Sequence, residues 1–368
     1  MAEIRIETLT KSFGDFTAVR GSDFTIRDGE FFVMLGPSGC GKTTTLRMIA
    51  GLELPTSGRI LLDGEDVTFN RASQRDIAFV FQLFALYPHM NVRQNISFPL
   101  RTQHVPRREV RARTEEVAKL LQIDDILDRR VSGLAAGDRQ RVALGRAIVR
   151  RAKAFLMDEP LGALDAEFRE TMCEELRLLH ERIGATTVYV THDQIEAMAM
   201  ADRICVMNRG EVLQIGPPME VYDRPATRFV AGFLGSPSMN FLPGEGPLPA
   251  GATSVRVGGA SLAMPATRAA LASGEAIVGA RPEHIAIADD GPLRGRVFAA
   301  EYMGARQLVT VDTEAGRVRV RTPNTVRVAA GETVGLAFDP ERLIVFDPVS
   351  DKAVPSALFD RARAREAA

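Results

Sequence analysis

GPSGCGKT, Gly36 to Thr43, follows the apolar run FFVML (Phe31–Leu35) and leads into TTLRMIAG. It fits the pattern G-x-x-x-x-G-K-[ST], and each part of that pattern has a chemical task. The glycines let backbone N–H groups curl around the β- and γ-phosphates of a nucleoside triphosphate, Lys42 supplies a positive charge, and the Thr43 hydroxyl ligates Mg²⁺. A strand before the loop and a helix after it are the context this chemistry needs, because the helix N-terminus adds a favourable dipole. The nucleotide-binding set is therefore Gly36, Pro37, Ser38, Gly39, Cys40, Gly41, Lys42, Thr43 and Thr44.

Outward from the loop, AFLMDEP (Ala154–Pro160) and TTVYVTHD (Thr186–Asp193) read as further buried strands ending in polar residues. Between the strands lie amphipathic stretches. RREVRARTEEVAKLLQIDDIL (Arg107–Leu127) carries Val110, Val117, Leu120 and Leu121 at helical spacing, and Phe168, Met172, Leu176, Leu179 and Ile183 share one face of the next. Strands alternating with helices argue for a parallel sheet covered on both sides. Asp158 closes an apolar run, the place for a carboxylate that holds Mg²⁺ through water, and Glu159 can orient and deprotonate an attacking water. His192, ending its own strand, can reach the γ-phosphate from the other side. A strand-end DE pair or a lone histidine is ordinary by itself; downstream of a phosphate loop both become candidate site residues.

Composition bounds the rest. The chain has 368 residues, 45% hydrophobic and 25% charged, which suits a globular protein of two domains. No apolar run approaches the roughly 18 residues needed to span a bilayer, and the opening MAEIRIETLT lacks the apolar core of a signal peptide. A net charge of −1 gives no reason to expect nucleic acid as a partner. The three cysteines, Cys40, Cys173 and Cys205, form neither a zinc pattern nor a disulfide framework, which points to a reducing cytoplasm. FLPGEGPLPAGA (Phe241–Ala252) reads as a Pro/Gly-rich break. The short strand-like pieces beyond it, such as GRVRVRT and RLIVFD, predict a small all-β barrel. The expected organisation is a nucleotide domain over 1–235, a β-domain over 236–350 and a frayed tail over 351–368.

Six stretches now stand in order: GPSGCGKT, VFQ (Val80–Gln82), LAAGDRQRVALGRAIVR (Leu134–Arg150), FLMDEP, LGALD (Leu161–Asp165) and THD. Over about residues 3–235 this series resembles the nucleotide-binding subunit of ATP-binding cassette (ABC) transporters. The resemblance implies an α/β P-loop NTPase (ABC ATPase) domain with a helical subdomain, ATP and Mg²⁺ as ligands, and roles position by position. Phe13, in KSFG, matches the aromatic that stacks on adenine. Gln82 matches the residue that senses Mg²⁺ and the attacking water, so Gln82, Glu159 and His192 form the catalytic set and Thr43, Gln82 and Asp158 the metal set. Asp165 matches the loop joining two ATP sites across a dimer.

The family's signature turn points at the ATP held by the other subunit. Its usual form is LSGGQ; here it is Leu134, Ala135, Ala136, Gly137 and Asp138. Ala135 lacks the hydroxyl that would bond the γ-phosphate, Ala136 adds a methyl where the backbone comes close, and Asp138 replaces an amide with a charge. The helix amides survive, so the site is weakened and not abolished. Two readings follow: a homodimer with two slow sites, or a heterodimer with a second ABC ATPase whose signature is intact. The second is the working hypothesis, because every other catalytic position is kept.

YDRPATRFVAGFLGSPSMNFLP (residues 222–243) and GARPEHI (Gly279–Ile285) are similar to segments of carbohydrate importers of the maltose, trehalose and glycerol-3-phosphate type. Those subunits carry an OB/TOBE-like β-barrel. The implied function is ATP hydrolysis that powers import of a sugar, polyol or glycerol-3-phosphate-like solute through separate membrane permease subunits, fed by a periplasmic or extracellular solute-binding protein. The chain would lie on the cytoplasmic face of the bacterial inner membrane, with a permease helix docking near Leu83–His89. The alternatives are a weakly hydrolysing partner of a second cassette, or the ATPase of a polyamine or iron importer.

Overall fold

The computed structural model describes residues 2–82, 85–150, 152–162, 164 and 166–360, with the side chains of 166–168 excepted. Asp165 and Leu83 lie outside the described residues. The chain divides into two compact units, Met1–Pro218 and Met219–Ala368.

In the first unit, β1 (Ile4–Phe13) and β2 (Phe16–Ile26) form an antiparallel hairpin, and β3 (Phe31–Leu35) leads through the phosphate loop into α1 (Lys42–Ala50). Then come β4 (Ser57–Leu62), β5 (Glu65–Asp66) and β6 (Ile77–Val80). A helical stretch follows: α2 (Val92–Thr102), α3 (Arg107–Leu120) and α4 (Ala136–Ile148). The unit closes with β7 (Ala154–Asp158), α5 (Ala166–Ile183), β8 (Thr186–Thr191), α6 (Gln194–Met200), β9 (Arg203–Asn208) and β10 (Glu211–Gly216).

The six-stranded sheet runs β10-β9-β3-β8-β7-β6, with β3 parallel to both β8 and β9, and β7 parallel to β6 and β8. Every residue of β3, β7 and β8 is buried, as expected for strands covered on both faces. Their carboxyl ends therefore open on one edge, where ligands bind in such sheets. The phosphate loop, Asp158 and His192 all leave from that edge.

The basic stretch of α3 forms i,i+4 ion pairs, Arg111 with Glu115 at 2.9 Å and Arg113 with Glu109, on its exposed side. The helix ends at Leu120, short of Leu127, because Gln122 takes a positive φ of 55° and Asp124–Ile126 tightens into a 3₁₀ turn. No described helix is long and apolar enough to cross a membrane.

The second unit is entered at the start of α7 (Pro218–Asp223), which is followed by α8 (Arg228–Phe233). Its strands are β11 (Asn240–Glu245), β12 (Ser254–Val257), β13 (Ala260–Ala263), β14 (Glu275–Ala280) and β15 (Ile285–Ile287), then β16 (Leu293–Met303), β17 (Arg306–Thr313), β18 (Gly316–Pro323), β19 (Thr333–Phe338) and β20 (Ile344–Phe346). They make two five-stranded antiparallel sheets, β13-β12-β11-β14-β20 and β15-β19-β16-β17-β18. One core joins them, with Val255 and Val278 from the first and Val309, Val320 and Leu336 from the second. The Asn240 side chain ties β11 of the first sheet to the edge strand β18 of the second, accepting the Arg319 N–H at 2.8 Å and donating to its carbonyl at 2.9 Å. This is the nearly closed β-barrel the short strands predict.

Three features add to or depart from the sequence expectation. The compact units divide after Pro218, and Arg281 holds the segment that follows within the second unit. That guanidinium, 1% exposed, donates to the Tyr222 carbonyl and, at 2.7 Å, to the Leu234 carbonyl, and stacks 3.5 Å over the Tyr222 ring. Next, Asn240–Glu245 is an inner strand where the sequence reads as a break. Pro243 is tolerated because β12 pairs with β11 only at Glu245, leaving the proline no ladder bond to supply on that side. A Cβ at Gly244 would sit 3.0 Å from Val278 Cγ2, so the glycine permits close packing. Finally, residues 351–360 are packed, not frayed: Val354 and Leu358 are buried, and Arg268 pairs with Asp360 at 2.5 Å.

Candidate nucleotide site

Gly36 and Gly41 are demanded by space. A Cβ at Gly36 would lie 2.2 Å from the Met207 carbonyl oxygen, and one at Gly41, whose φ is 106°, would lie 2.4 Å from that of Ala18. Gly39, with φ 78°, faces open space, on the side a ligand would occupy. Gly41 also caps α1 without a side-chain bond, so the first amides of the helix keep their donors. Pro37 and Ser38 line the loop's outer face, and Cys40 is buried beneath it, where burial pushes its thiol up against the opposing pull of Lys42.

Lys42 is only 4% exposed. Its Nζ donates to the carbonyls of Gly36 at 2.7 Å and Pro37 at 2.9 Å, which draws the ammonium over the loop. Thr43 Oγ1 donates to Asp158 Oδ1 at 2.8 Å, so the candidate metal ligands from two elements meet. Thr44 is half-buried in the first turn of α1. Phe13 ends β1, 49% exposed, with Lys11 Nζ 4.7 Å from its ring centroid. Its hairpin flanks the loop through Ala18, which makes the ring available for stacking.

Glu159 follows β7 in the left-handed region, φ 45°, an arrangement that costs energy for a non-glycine residue and recurs at functional sites. The turn is held by the Glu159 N–H donating to the Val190 carbonyl at 3.0 Å. It aims the carboxylate between two partners: Gln82 Nε2 donates to Oε2 at 3.3 Å, and His192 Nδ1 lies 3.3 Å from Oε1. Gln82, Glu159 and His192, distant in sequence, thus form one cluster beside the Thr43–Asp158 pair.

The signature does not join that cluster. Ala135 caps α4 with extended backbone, φ −62° and ψ 163°, and makes no side-chain cap bond. Leu134 and Gly137 are buried, while Ala135 is exposed and Ala136 and Asp138 half-exposed. Among the described residues, no hydrogen bond links this turn to the loop of the same chain. The sequence carries no motif for two further residues near His192. Glu196, four positions on, is 3% exposed and accepts bonds from the Tyr189 hydroxyl at 2.8 Å and Thr191 Oγ1 at 2.7 Å. Arg169 binds Asp193 at 3.0 Å. For Glu196 the available signal was an acid among the small and apolar residues of IEAMAM.

Burial pushes the Asp158 carboxyl above its ordinary value, ahead of the downward pull of the Thr43 hydroxyl and Arg47. The native chain therefore takes up this proton at a higher pH than the unfolded chain does. The ionised carboxylate costs stability above the folded pKa, and that cost fades as pH falls toward the ordinary carboxylate range. Asp158→Asn, which keeps the acceptor for Thr43, is expected to raise Tm at neutral pH by about 2–4 °C, or about 1 kcal/mol. The gain should shrink on acidification. Thermal scans across pH test this, and an unchanged or lower Tm at neutral pH would contradict it.

A parallel sheet with a phosphate loop after its central strand, an Asp–Thr pair and a glutamate at the strand ends define a P-loop nucleoside triphosphatase. Comparison narrows the class. The model described as ABC transporter matches residues 19–162, that of the MalK OB fold domain 235–285, and that of the TOBE domain 278–346. The sn-glycerol-3-phosphate import ATP-binding protein of Ruegeria sp. is 47% identical over 96% of this chain and 99% of its own length. The trehalose import ATP-binding protein of Mycobacterium tuberculosis is 46% identical over 94% and 97% of the two chains, and the trehalose/maltose import ATP-binding protein of Thermococcus litoralis 44% over 96% and 100%. Among solved structures, cbiO1 of Clostridium perfringens, part of an ABC transporter complex, aligns with a TM-score of 0.56 and 29% identity over 59% of this chain and 89% of that one. The chain belongs to the ATP-binding proteins of ABC transporters and is an ATPase coupled to transport. The polyamine, iron and weakly hydrolysing alternatives are not favoured by these relatives.

Proposed function

We propose that this chain drives import of a sugar, polyol or glycerol-3-phosphate-like solute from the cytoplasmic face of the membrane, through separate permease subunits supplied by a solute-binding protein. The observation that carries the reading is the Gln82–Glu159–His192 cluster beside Lys42, Thr43 and Asp158, in a chain that aligns end to end with named import ATP-binding proteins. Phe13 stacks on the adenine, the loop amides and Lys42 hold the phosphates, and Gln82 and His192 position the Glu159 carboxylate. Glu159 accepts the proton of the attacking water as its oxygen bonds to the γ-phosphorus, and ADP leaves.

The oxygen donors of Thr43 and Asp158, 2.8 Å apart, suit a small hard cation that keeps several waters, and Gln82 can complete the set. Mg²⁺ held there would neutralise charge on the β- and γ-phosphates. Two cassettes pair so that each α4 N-terminus faces the other's phosphate loop, with Asp165 in the loop between the sites. ATP closes the pair because it binds the closed state better. The second cassette is a copy of this chain or a different chain with an intact signature, and the two cases differ in the turnover of the isolated protein.

The test is recovery of the tagged chain from detergent-solubilised membranes of its native host. Permease subunits should accompany it, and ATP turnover should rise several-fold when a sugar-loaded binding protein is added. Recovery with ribosomes or nucleic acid, and without membrane subunits, would refute the import role.

A further inference from the structure

The loop that carries His192 is held from both flanks. Before it, Thr191 Oγ1 donates to Glu196 Oε2 at 2.7 Å and accepts the Asp193 N–H at 3.0 Å. After it, Asp193 Oδ1 caps α6, accepting the N–H groups of Ile195 at 2.7 Å and Glu196 at 3.4 Å. The other oxygen, Asp193 Oδ2, accepts Arg169 Nη1 at 3.0 Å. The same guanidinium sends Nη2 to the carbonyl of Leu164 at 2.9 Å, and its Nε lies 3.6 Å from Glu196 Oε1. Leu164 is the fourth residue of LGALD, next to Asp165.

We propose that Arg169 is a positioning residue that couples the LGALD loop to the His192 loop, so that the placement of the first sets where His192 stands against Glu159. The inference rests on the reading of Glu159 and His192 as catalytic. The fork geometry is what the task requires. A guanidinium is planar and offers donors in fixed directions, so one group serves a carboxylate on one loop and a carbonyl on the other at once; an ammonium is a point charge that cannot hold both at this spacing. The charge also has a purpose, since Asp193 and Glu196 both face it and the guanidinium stands between the two carboxylates. His192 sits between two backbone positions that this network holds, with its ring 3.3 Å from Glu159. A shift of Leu164 is therefore transmitted to the His192 loop through a single planar guanidinium. Misplacement of a catalytic group by about 1 Å can cost on the order of 10²-fold in rate.

Arg169→Lys keeps a cation beside Asp193 and loses the second arm. Asp193→Asn keeps a good helix cap and loses the charge that Arg169 grips. Both are to be measured in the full chain for ATP affinity, single-turnover rate and Tm, alone and combined with His192→Ala. The expected result is a rate lower by tenfold or more with ATP affinity within twofold. In the His192→Ala background, Arg169→Lys should cause no further loss, because a residue acting through the histidine is non-additive with it. An unchanged rate in both variants, a loss confined to ATP affinity, or equal fold-losses with and without His192 would overturn the proposal. If His192→Ala alone turns over ATP normally, the catalytic reading of that histidine fails; if it is impaired while Arg169→Lys and Asp193→Asn are not, only the coupling fails.

Discussion

Glu159→Gln is expected to bind ATP with nearly the affinity of the parent chain while its turnover falls by about 10²–10⁴-fold, the range for loss of a general base. The substitution changes little else. Glutamine has the shape of glutamate, so the left-handed turn at φ 45° and its bond to the Val190 carbonyl are undisturbed. The amide oxygen can still accept from Gln82. What it cannot do is take a proton from water. Lys42 and the loop amides, the proposed phosphate ligands, and Thr43, the proposed metal ligand, lie on other elements and are untouched. Binding of a fluorescent ATP analogue and release of inorganic phosphate separate the two effects, and ordinary steady-state hydrolysis would remove Glu159 from its role. Because closure depends on binding and not on hydrolysis, this variant should also accumulate as the nucleotide-bound pair, seen as a doubling of mass when ATP and Mg²⁺ are added.

The features that could be read from the sequence are those in which one local pattern carries both geometry and chemistry. The phosphate loop is such a case: a buried strand, glycines where a Cβ would strike Met207 or Ala18, and a lysine opening a helix are all written within a short span. Glu159 and His192 are legible because each directly follows a strand of a parallel sheet, and such ends gather on one edge. What escaped depends on contacts between distant positions. Arg281 pulls residues after Pro218 onto the barrel, but nothing near Tyr222 or Leu234 announces that a guanidinium arrives from the residue that follows β14, far along the chain. Pro243 and Gly244 look like a break because proline and glycine weaken most strands; only the partial pairing of β11 and the packing against Val278 make them welcome there. Arg169 and Glu196 carried little signal for a related reason. A charged residue on an amphipathic helix is taken as solvated until the structure shows its partners, two loops for the half-exposed Arg169 and two hydroxyls for the buried Glu196.

Ala135→Ser combined with Ala136→Gly restores the signature and is expected to raise ATP turnover of the isolated chain by up to about 10²-fold, the worth of one positioned donor to developing charge. Stability gives the two changes opposite signs, which separates catalysis from folding. Ala135 caps α4 with extended backbone and no side-chain bond, so serine there supplies a missing cap worth about 1 kcal/mol. Ala136 opens the helix proper, where glycine costs about 0.5–1 kcal/mol of conformational freedom. Ala135→Ser should therefore raise Tm and Ala136→Gly lower it, while each raises turnover. A gain in rate that simply tracked Tm would mean that the turn never meets a nucleotide. The same variants decide what the second cassette is. If two copies of this chain clamp ATP, both signatures are weak, and restoring them speeds the purified protein directly. If the working pair includes a different cassette with an intact signature, that partner already completes the site built on this chain's Lys42 and Glu159. In that case adding the partner should speed the unmodified chain as much as the double substitution speeds the isolated one. Rapid, cooperative hydrolysis by the unmodified isolated chain would exclude both weak-signature readings, because Ala135 would then be shown to cost the site nothing.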